Sequence, residues 1–303
     1  MIKTILNMIP QESFIRKKRS WLFAALAVTG MFLFTAAKKA PEAEIVITSP
    51  EESGFKTIVF DLGDVLFETS KSTQKSLFIP VILKNPTLLY KLLSLDAKKE
   101  FFNILETIPA ESKDPIYNKG QRLPLILADW MSGLKTPQDI KFLADKAIES
   151  SNFSIAEKNL FYGVSDLMFN PEKLANSQSI VMPMAQLLKK LKLAGYQICV
   201  LSNWDEYSFT EVCKKYPKLF DLCDHILISG KEKLSKPDPE FFNKLLNNLK
   251  LNPTECIFID DEPYNIKAAQ KLGLKSIEHK SRLETSKELI KCGVINLKVQ
   301  VQE

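Results

Sequence analysis

The chain has 303 residues, 45% of them apolar and 25% charged, with 10 Gly and 16 Pro. That composition is globular and excludes a fibrous or wholly disordered protein, and five cysteines are too sparse for a disulfide scaffold. The net charge of +5 belongs to the N-terminus: residues 1–39 carry seven basic side chains against one acid, which leaves 34 basic and 35 acidic residues elsewhere.

Nucleic-acid binding needs a basic surface that displaces counterions, and the near-neutral body offers none. Residues 1–20 form a basic lead that ends in Arg16-Lys17-Lys18-Arg19. Trp21 to Ala37 follow without a charge, a run of about 25 Å as a helix, close to the lower limit for crossing a bilayer. Basic flanks stay cytoplasmic, so the domain that follows is expected to be exported. Two readings stand. One is an uncleaved anchor that ties the protein to the membrane. The other is a signal peptide cleaved after the small residues Thr35 and Ala37, which leaves a secreted or periplasmic protein. A buried or interfacial helix is the plain alternative, and translation from Met31 would delete the segment and keep the protein cytoplasmic. Residues 38–54 are polar, contain two prolines and are predicted to be a linker.

Lys56 to Asp61 (KTIVFD) is a β-rich apolar run ending in an acid, as a buried parallel strand with a functional loop at its carboxyl end would be. Tyr196–Leu201, His225–Ile228 and Cys256–Ile259 repeat the pattern, and Leu274–Ile277 repeats it weakly. Amphipathic stretches alternate with them: Met184–Ala194, Pro239–Leu249, Pro263–Leu272 and Ser286–Lys291. Strand–helix alternation predicts a parallel sheet covered by helices, with ligands at the carboxyl ends of its strands. The interval between the first two strands has no clear strand run and several apolar stretches at helical spacing, among them Leu88–Leu95, Phe101–Ile108, Leu123–Met131, Ile140–Ile148 and Ala156–Met168. It is too long for a loop and predicts an inserted helical module over 70–179. Prolines and lysines interrupt Leu77–Leu95, which argues against a second membrane span.

Three strand ends carry polar residues: Asp61, Ser202-Asn203 and Asp260-Asp261. A fourth element, Leu234-Ser-Lys-Pro-Asp-Pro239, places Lys236 ahead of two prolines. Carboxylates and one ammonium converging at a sheet edge suit a divalent cation and a phosphate: oxygen ligands favour Mg²⁺, and hydroxyl, amide and backbone N–H groups hold phosphate oxygens.

At VFDLGDVLF, VLSN, SKPDPEFF and FIDDEPYN the sequence resembles the haloacid dehalogenase-like hydrolase superfamily, over about residues 55–280. The wording is most similar to the branch of small sugar-phosphate phosphatases and the phosphatase domain of soluble epoxide hydrolases. The resemblance implies an α/β fold, a Rossmann-like parallel sheet with helices on both faces, formed by residues 55–69 and 180–303, with the helical insert as a cap. It implies Asp61 as nucleophile and Lys236 as the stabilising cation. It further implies Mg²⁺ on Asp61, the Gly63 carbonyl and Asp261, with phosphate on Ser202, the Asn203 amide and Lys236. Asp260 and Asn265 would shape the metal loop without touching the ion.

One position departs from the pattern. The second Asp that usually acts as general acid/base, two residues after the nucleophile, is Gly63 here. Metal binding by a carbonyl survives that change, whereas general acid catalysis, worth about 10²–10⁴ in rate, does not. Asp64 is one residue out of phase, a poor substitute, although members of the sugar-phosphatase branch share the Gly. Trp204 and Asp205 either pack and cap or face the substrate, the first being the plainer reading; Trp130 and Phe101-Phe102 are expected to fill the insert's core, and His225 and His279 to bind no zinc. Free core thiols are expected of the cysteines, with Cys213–Cys223 pairing open if the chain is exported. The functional expectation is a Mg²⁺-dependent phosphatase of small phosphorylated metabolites. The alternatives are a degenerate binding protein and a 2-haloacid dehalogenase.

Overall fold

The computed structural model describes residues 44–70, 83 and 96–298. The apolar run Trp21–Ala37 and the stretch Leu88–Leu95 lie outside the described residues. Among those described, no helix is long and apolar enough to cross a membrane.

In chain order the elements begin with β1 (Glu44–Ile47), α1 (Pro50–Ser53), β2 (Thr57–Phe60) and β3 (Phe67–Thr69). The insert follows with α2 (Asp96–Glu106), β4 (Tyr117–Asn118), β5 (Gln121–Arg122), α3 (Leu125–Met131), α4 (Pro137–Glu149), α5 (Ile155–Phe169) and α6 (Pro171–Ser177). The chain returns through β6 (Gln178–Ile180), α7 (Met182–Leu193), β7 (Gln197–Ser202), α8 (Glu206–Lys215), α9 (Pro217–Phe220), β8 (His225–Ile228), α10 (Ser229–Glu232) and α11 (Pro239–Asn248). It closes with β9 (Cys256–Asp260), α12 (Pro263–Lys271), β10 (Lys275–Glu278), α13 (Arg282–Lys291) and β11 (Ile295–Lys298).

Five strands form one parallel sheet in the order β10-β9-β2-β7-β8. Strand residues point alternately to opposite faces, and each face has its own core. Ile58, Phe60, Ile198, Val200, Ile257 and Ile259 share one core with Leu187, Leu188 and Leu191 of α7 and Leu289 of α13. Val59, Cys199, Leu201 and Phe258 share the other with Phe241, Phe242 and Leu245 of α11 and Ile266 of α12. Burial on both faces explains why β2, β7 and β9 read as unbroken apolar runs.

Register then positions the site. Phe60 of β2 lies opposite Val200 of β7 on one side and Ile259 of β9 on the other. Asp61 and Asp260, one residue beyond, and Ser202, two residues beyond, therefore meet at one edge.

The predicted linker needs correction. Residues 44–47 are strand β1, paired antiparallel with β11, and Pro50–Ser53 are helical behind a Ser49 N-cap. Ile45 and Ile47 pack against the main core. A four-residue strand whose partner lies at the far end of the chain leaves little local signal. Helix α13 starts four residues before the predicted Ser286, because the Ser281 hydroxyl accepts from the Glu284 N–H and supplies the cap. The insert contains one element that its periodicity hid, the β4–β5 hairpin. It leaves and rejoins the sheet domain through β3 and β6, which pair antiparallel. A second attachment is tight: the Ser229 hydroxyl donates to the Met131 carbonyl over 2.6 Å. A Cβ on Gly133 would lie 2.3 Å from the Gly230 oxygen, so this approach requires glycine.

Candidate active site

Asp61 is buried at the end of β2, and its backbone N–H still donates to Ile259 of β9. Its Oδ1 accepts from the Ser202 hydroxyl at 2.8 Å and from the Lys236 ammonium at 2.8 Å. Lys236 is 1% exposed and also donates to Asp260 Oδ2 at 2.6 Å. A buried ammonium is tolerated only when it is paired and hydrogen-bonded, and here two carboxylates supply both. The Phe258 ring lies 5.4 Å from the same nitrogen and adds a favourable face.

The Lys236 backbone is fixed by Asn203. The Asn203 side chain donates from Nδ2 to the Lys236 carbonyl and accepts at Oδ1 from the Lys236 N–H, each over 2.7 Å. This reciprocal pair ties the loop after β7 to the loop that carries the cation. The Asn203 side-chain amide therefore works as a tether for the Lys236 backbone.

Asp260 is wholly buried and occupied at both oxygens. Oδ1 accepts from the Glu262 N–H at 2.7 Å, Oδ2 from Lys236, and Asn265 donates to both at 3.1 and 3.0 Å. Its bonds hold the turn that presents Asp261. Asp61, Asp260 and Asp261 offer oxygens within 4.8 Å of one another. Three formal negative charges around one ammonium leave a net deficit at a largely buried point. An all-oxygen donor set of that charge fits a hard divalent cation such as Mg²⁺. Because Asp260 is spent on Lys236, Asn265 and Glu262, Asp61 and Asp261 are the carboxylates suited to hold an ion. Gly63 is buried in the turn after β2, where it bridges to Phe67.

Two residues after the second motif have structural tasks, as expected. Trp204 is buried and donates from Nε1 to the Ser208 hydroxyl at 2.9 Å. Asp205 caps α8, accepting from the Ser208 N–H and, at a very short separation, from the Ser208 hydroxyl. Burial pushes the Asp205 carboxyl up to about 6, against the lowering effect of those bonds. Trp130, Phe101 and Phe102 are core residues of the insert, and all five cysteines are free thiols.

Sequence reasoning missed the wall opposite the sheet edge. Asp261 opens onto a groove of about 690 Å³ lined also by Asp64, Lys119, Val181, His279, Lys280 and Arg282. Asp64 has φ 57°, a left-handed backbone conformation uncommon for a residue other than glycine. The His279 N–H donates to the Asp260 carbonyl, and its Nδ1 lies 2.7 Å from the Thr285 hydroxyl. Burial lowers the His279 pKa, opposed by the charges of Asp64 and Asp61. Glu262 is buried and accepts from the Gly120 N–H of the insert's hairpin at 3.0 and 3.3 Å. Tyr264 stacks on Tyr117 of the same hairpin, with centroids 3.9 Å apart. The hairpin left little sequence signal: Lys119-Gly120 has the glycine of a two-residue turn, but Tyr117-Asn118 and Gln121-Arg122 on either side carry no apolar alternation.

Residues 55–273 match the model of the haloacid dehalogenase-like hydrolases, and the chain belongs to that family. It is 28% identical over 201 residues to flavin mononucleotide hydrolase 1 of Arabidopsis thaliana, covering 64% of this chain and 76% of that protein. It is 32% identical over 106 residues to a sesquiterpene phosphatase of Aspergillus oryzae, covering 35% of this chain and 54% of that protein. A D-ribitol-5-phosphate phosphatase of Bacteroides thetaiotaomicron is 26% identical over 100 residues, covering 31% of this chain and 48% of that protein. The matches to the last two thus span only about half of each relative. Among solved structures, a HAD family enzyme of Bacteroides thetaiotaomicron, in complex with magnesium and inorganic phosphate, has a TM-score of 0.48 and 24% identity, with 75% of this chain and 95% of that chain covered.

Proposed function

We propose that this hydrolase is a Mg²⁺-dependent phosphomonoesterase of small phosphorylated molecules that works through a covalent aspartyl-phosphate. The observation that carries the reading is the Lys236 ammonium lodged between Asp61 and Asp260, 2.8 and 2.6 Å from their oxygens, beside Asp261. The phosphatase relatives support the same class of substrate.

A carboxylate oxygen of Asp61 attacks phosphorus and forms the new O–P bond. The ester oxygen departs with the electrons of the broken bond and takes a proton. Water then attacks the phosphoryl group, loses a proton, and releases inorganic phosphate with Asp61 regenerated. Lys236 neutralises Asp61 in the resting site and the phosphoryl oxygens as charge moves onto them. Ser202 Oγ and the Asn203 backbone N–H take phosphate oxygens. Asp61, the Gly63 carbonyl and Asp261 would hold Mg²⁺, which when bound offsets phosphoryl charge as a Lewis acid. Asp260 and Asn265 keep the metal loop in shape. The insert, whose hairpin contacts Glu262 and Tyr264, is the part that would limit the site to small substrates.

The test is phosphate release from sugar, nucleotide, isoprenoid and aryl phosphates with Mg²⁺ and with EDTA. Turnover that needs Mg²⁺ is expected. Undiminished turnover in EDTA would overturn the metal assignment. Chloride release from 2-chloropropionate without metal would move the chain to the dehalogenases. A folded chain with neither activity would point to a binding protein in which Gly63 has removed proton transfer.

A further inference from the structure

The turn Lys119-Gly120 is built under constraint. Asn118 and Gln121 are paired, so the loop has two residues, and both are left-handed, with φ 51° and 76°. Two-residue hairpins demand this of both central positions and favour Asn-Gly there. A lysine with φ above zero is uncommon and carries a conformational cost. The tip is nonetheless anchored twice to the metal loop, through Gly120 N–H to buried Glu262 and through the Tyr117–Tyr264 stack. These anchors hold Lys119 at the groove that Asp261 opens onto. Its ammonium lies 4.0 Å from Asp64 Oδ2, an ion pair beyond hydrogen-bond range. Among the described residues it has no hydrogen-bond partner, so its donors are unspent. Lys280, paired with Glu278 at 3.4 Å, and Arg282 line the same groove.

We propose that Lys119 determines substrate specificity by binding a second anionic group, a carboxylate or phosphate, on the leaving group of the phosphoester. The inference rests on the phosphatase reading for the place of the scissile phosphate. The groove beside Asp261 receives the leaving group. A second anion there takes Lys119 from Asp64, with Lys280 and Arg282 at hand. Specificity is then supplied by a residue of the insert, held in place by the metal loop of the sheet domain.

The test compares matched pairs on the full chain and on Lys119→Asn, which removes the charge while installing the residue the turn prefers. The hydrolysed pair is 2-phosphoglycolate and 2-hydroxyethyl phosphate. The non-hydrolysable pair, phosphonoacetate and ethylphosphonate, is measured by equilibrium binding in Mg²⁺. The native chain is expected to favour the anionic member of each pair by about tenfold. Lys119→Asn is expected to bring both ratios near one, mainly through KM, and Lys119→Arg to keep them. Ratios near one in the native chain, or ratios that Lys119→Asn leaves unchanged, would overturn the proposal. Discrimination in binding without turnover of either ester would sustain Lys119 and defeat the phosphatase reading.

Discussion

Lys236 and Asp61 are 175 residues apart in the chain, yet Nζ and Oδ1 are 2.8 Å apart in a buried site. Three devices make that contact. The β2–β9 register, with Phe60 opposite Ile259, sets the Asp61 and Asp260 ends level. Asn203 clamps the Lys236 backbone. Phe258 closes the space beside the ammonium.

Removal of that cation leaves Asp61 and Asp260 facing each other out of water. Lys236→Met is expected to lose about 3 kcal/mol of stability at neutral pH, the cost of breaking a buried pair, and about 10³ in turnover. Urea unfolding and initial rates measure the two. A variant that retains a tenth of native turnover would show that the ammonium is structural.

Asn203 acts on Lys236 through two hydrogen bonds to one backbone unit. Asn203→Leu removes both and leaves buried partners unsatisfied, at about 1–3 kcal/mol. Turnover is expected to fall by about 10²-fold through misplacement of the ammonium. Asn203→Asp keeps the acceptor alone and is expected to lie between the two. Equal losses in both variants would contradict the tether.

Tyr264→Ala removes the stack that seats the hairpin, a contact worth about 0.5–1.5 kcal/mol. Amide hydrogen exchange is expected to rise at residues 117–122 while residues 256–260 stay protected. Unchanged exchange in the hairpin would mean that Glu262 alone anchors it.

Asp205 gives a pH dependence with a definite sign. Its folded pKa is raised to about 6 from 3.8. The folded state therefore binds more protons than the unfolded state between those values, and stability falls as pH rises through the window. Asp205→Asn keeps a capping side chain and removes the titration. Its stability relative to the native chain is expected to improve by about 1–2 kcal/mol between pH 5 and 7.5. A difference that is flat with pH would place the Asp205 pKa near the ordinary carboxylate range.

The strands of the sheet were legible because burial on both faces makes β2, β7 and β9 continuous apolar runs, each ending abruptly in a polar residue. That pattern located Asp61, Ser202, Asp260 and Asp261, and the Ser-Lys-Pro-Asp-Pro stretch located Lys236. What stayed hidden depends on distant partners. β1 has meaning only beside β11, and the Asn203 side chain only opposite Lys236. Lys119 and His279 reach the site from a hairpin and a strand end whose local sequences carry no apolar period. The groove is thus a product of tertiary packing, which periodicity does not encode.

The central claim is that Asp61 becomes covalently phosphorylated. An acyl phosphate is reduced by borohydride, so tritiated borohydride added during steady-state turnover with Mg²⁺ labels the residue that carries it. The account predicts label in the peptide containing Asp61, dependent on both substrate and Mg²⁺ and absent from Asp61→Asn. Steady turnover with no label at Asp61, or with label on another carboxylate, would contradict it.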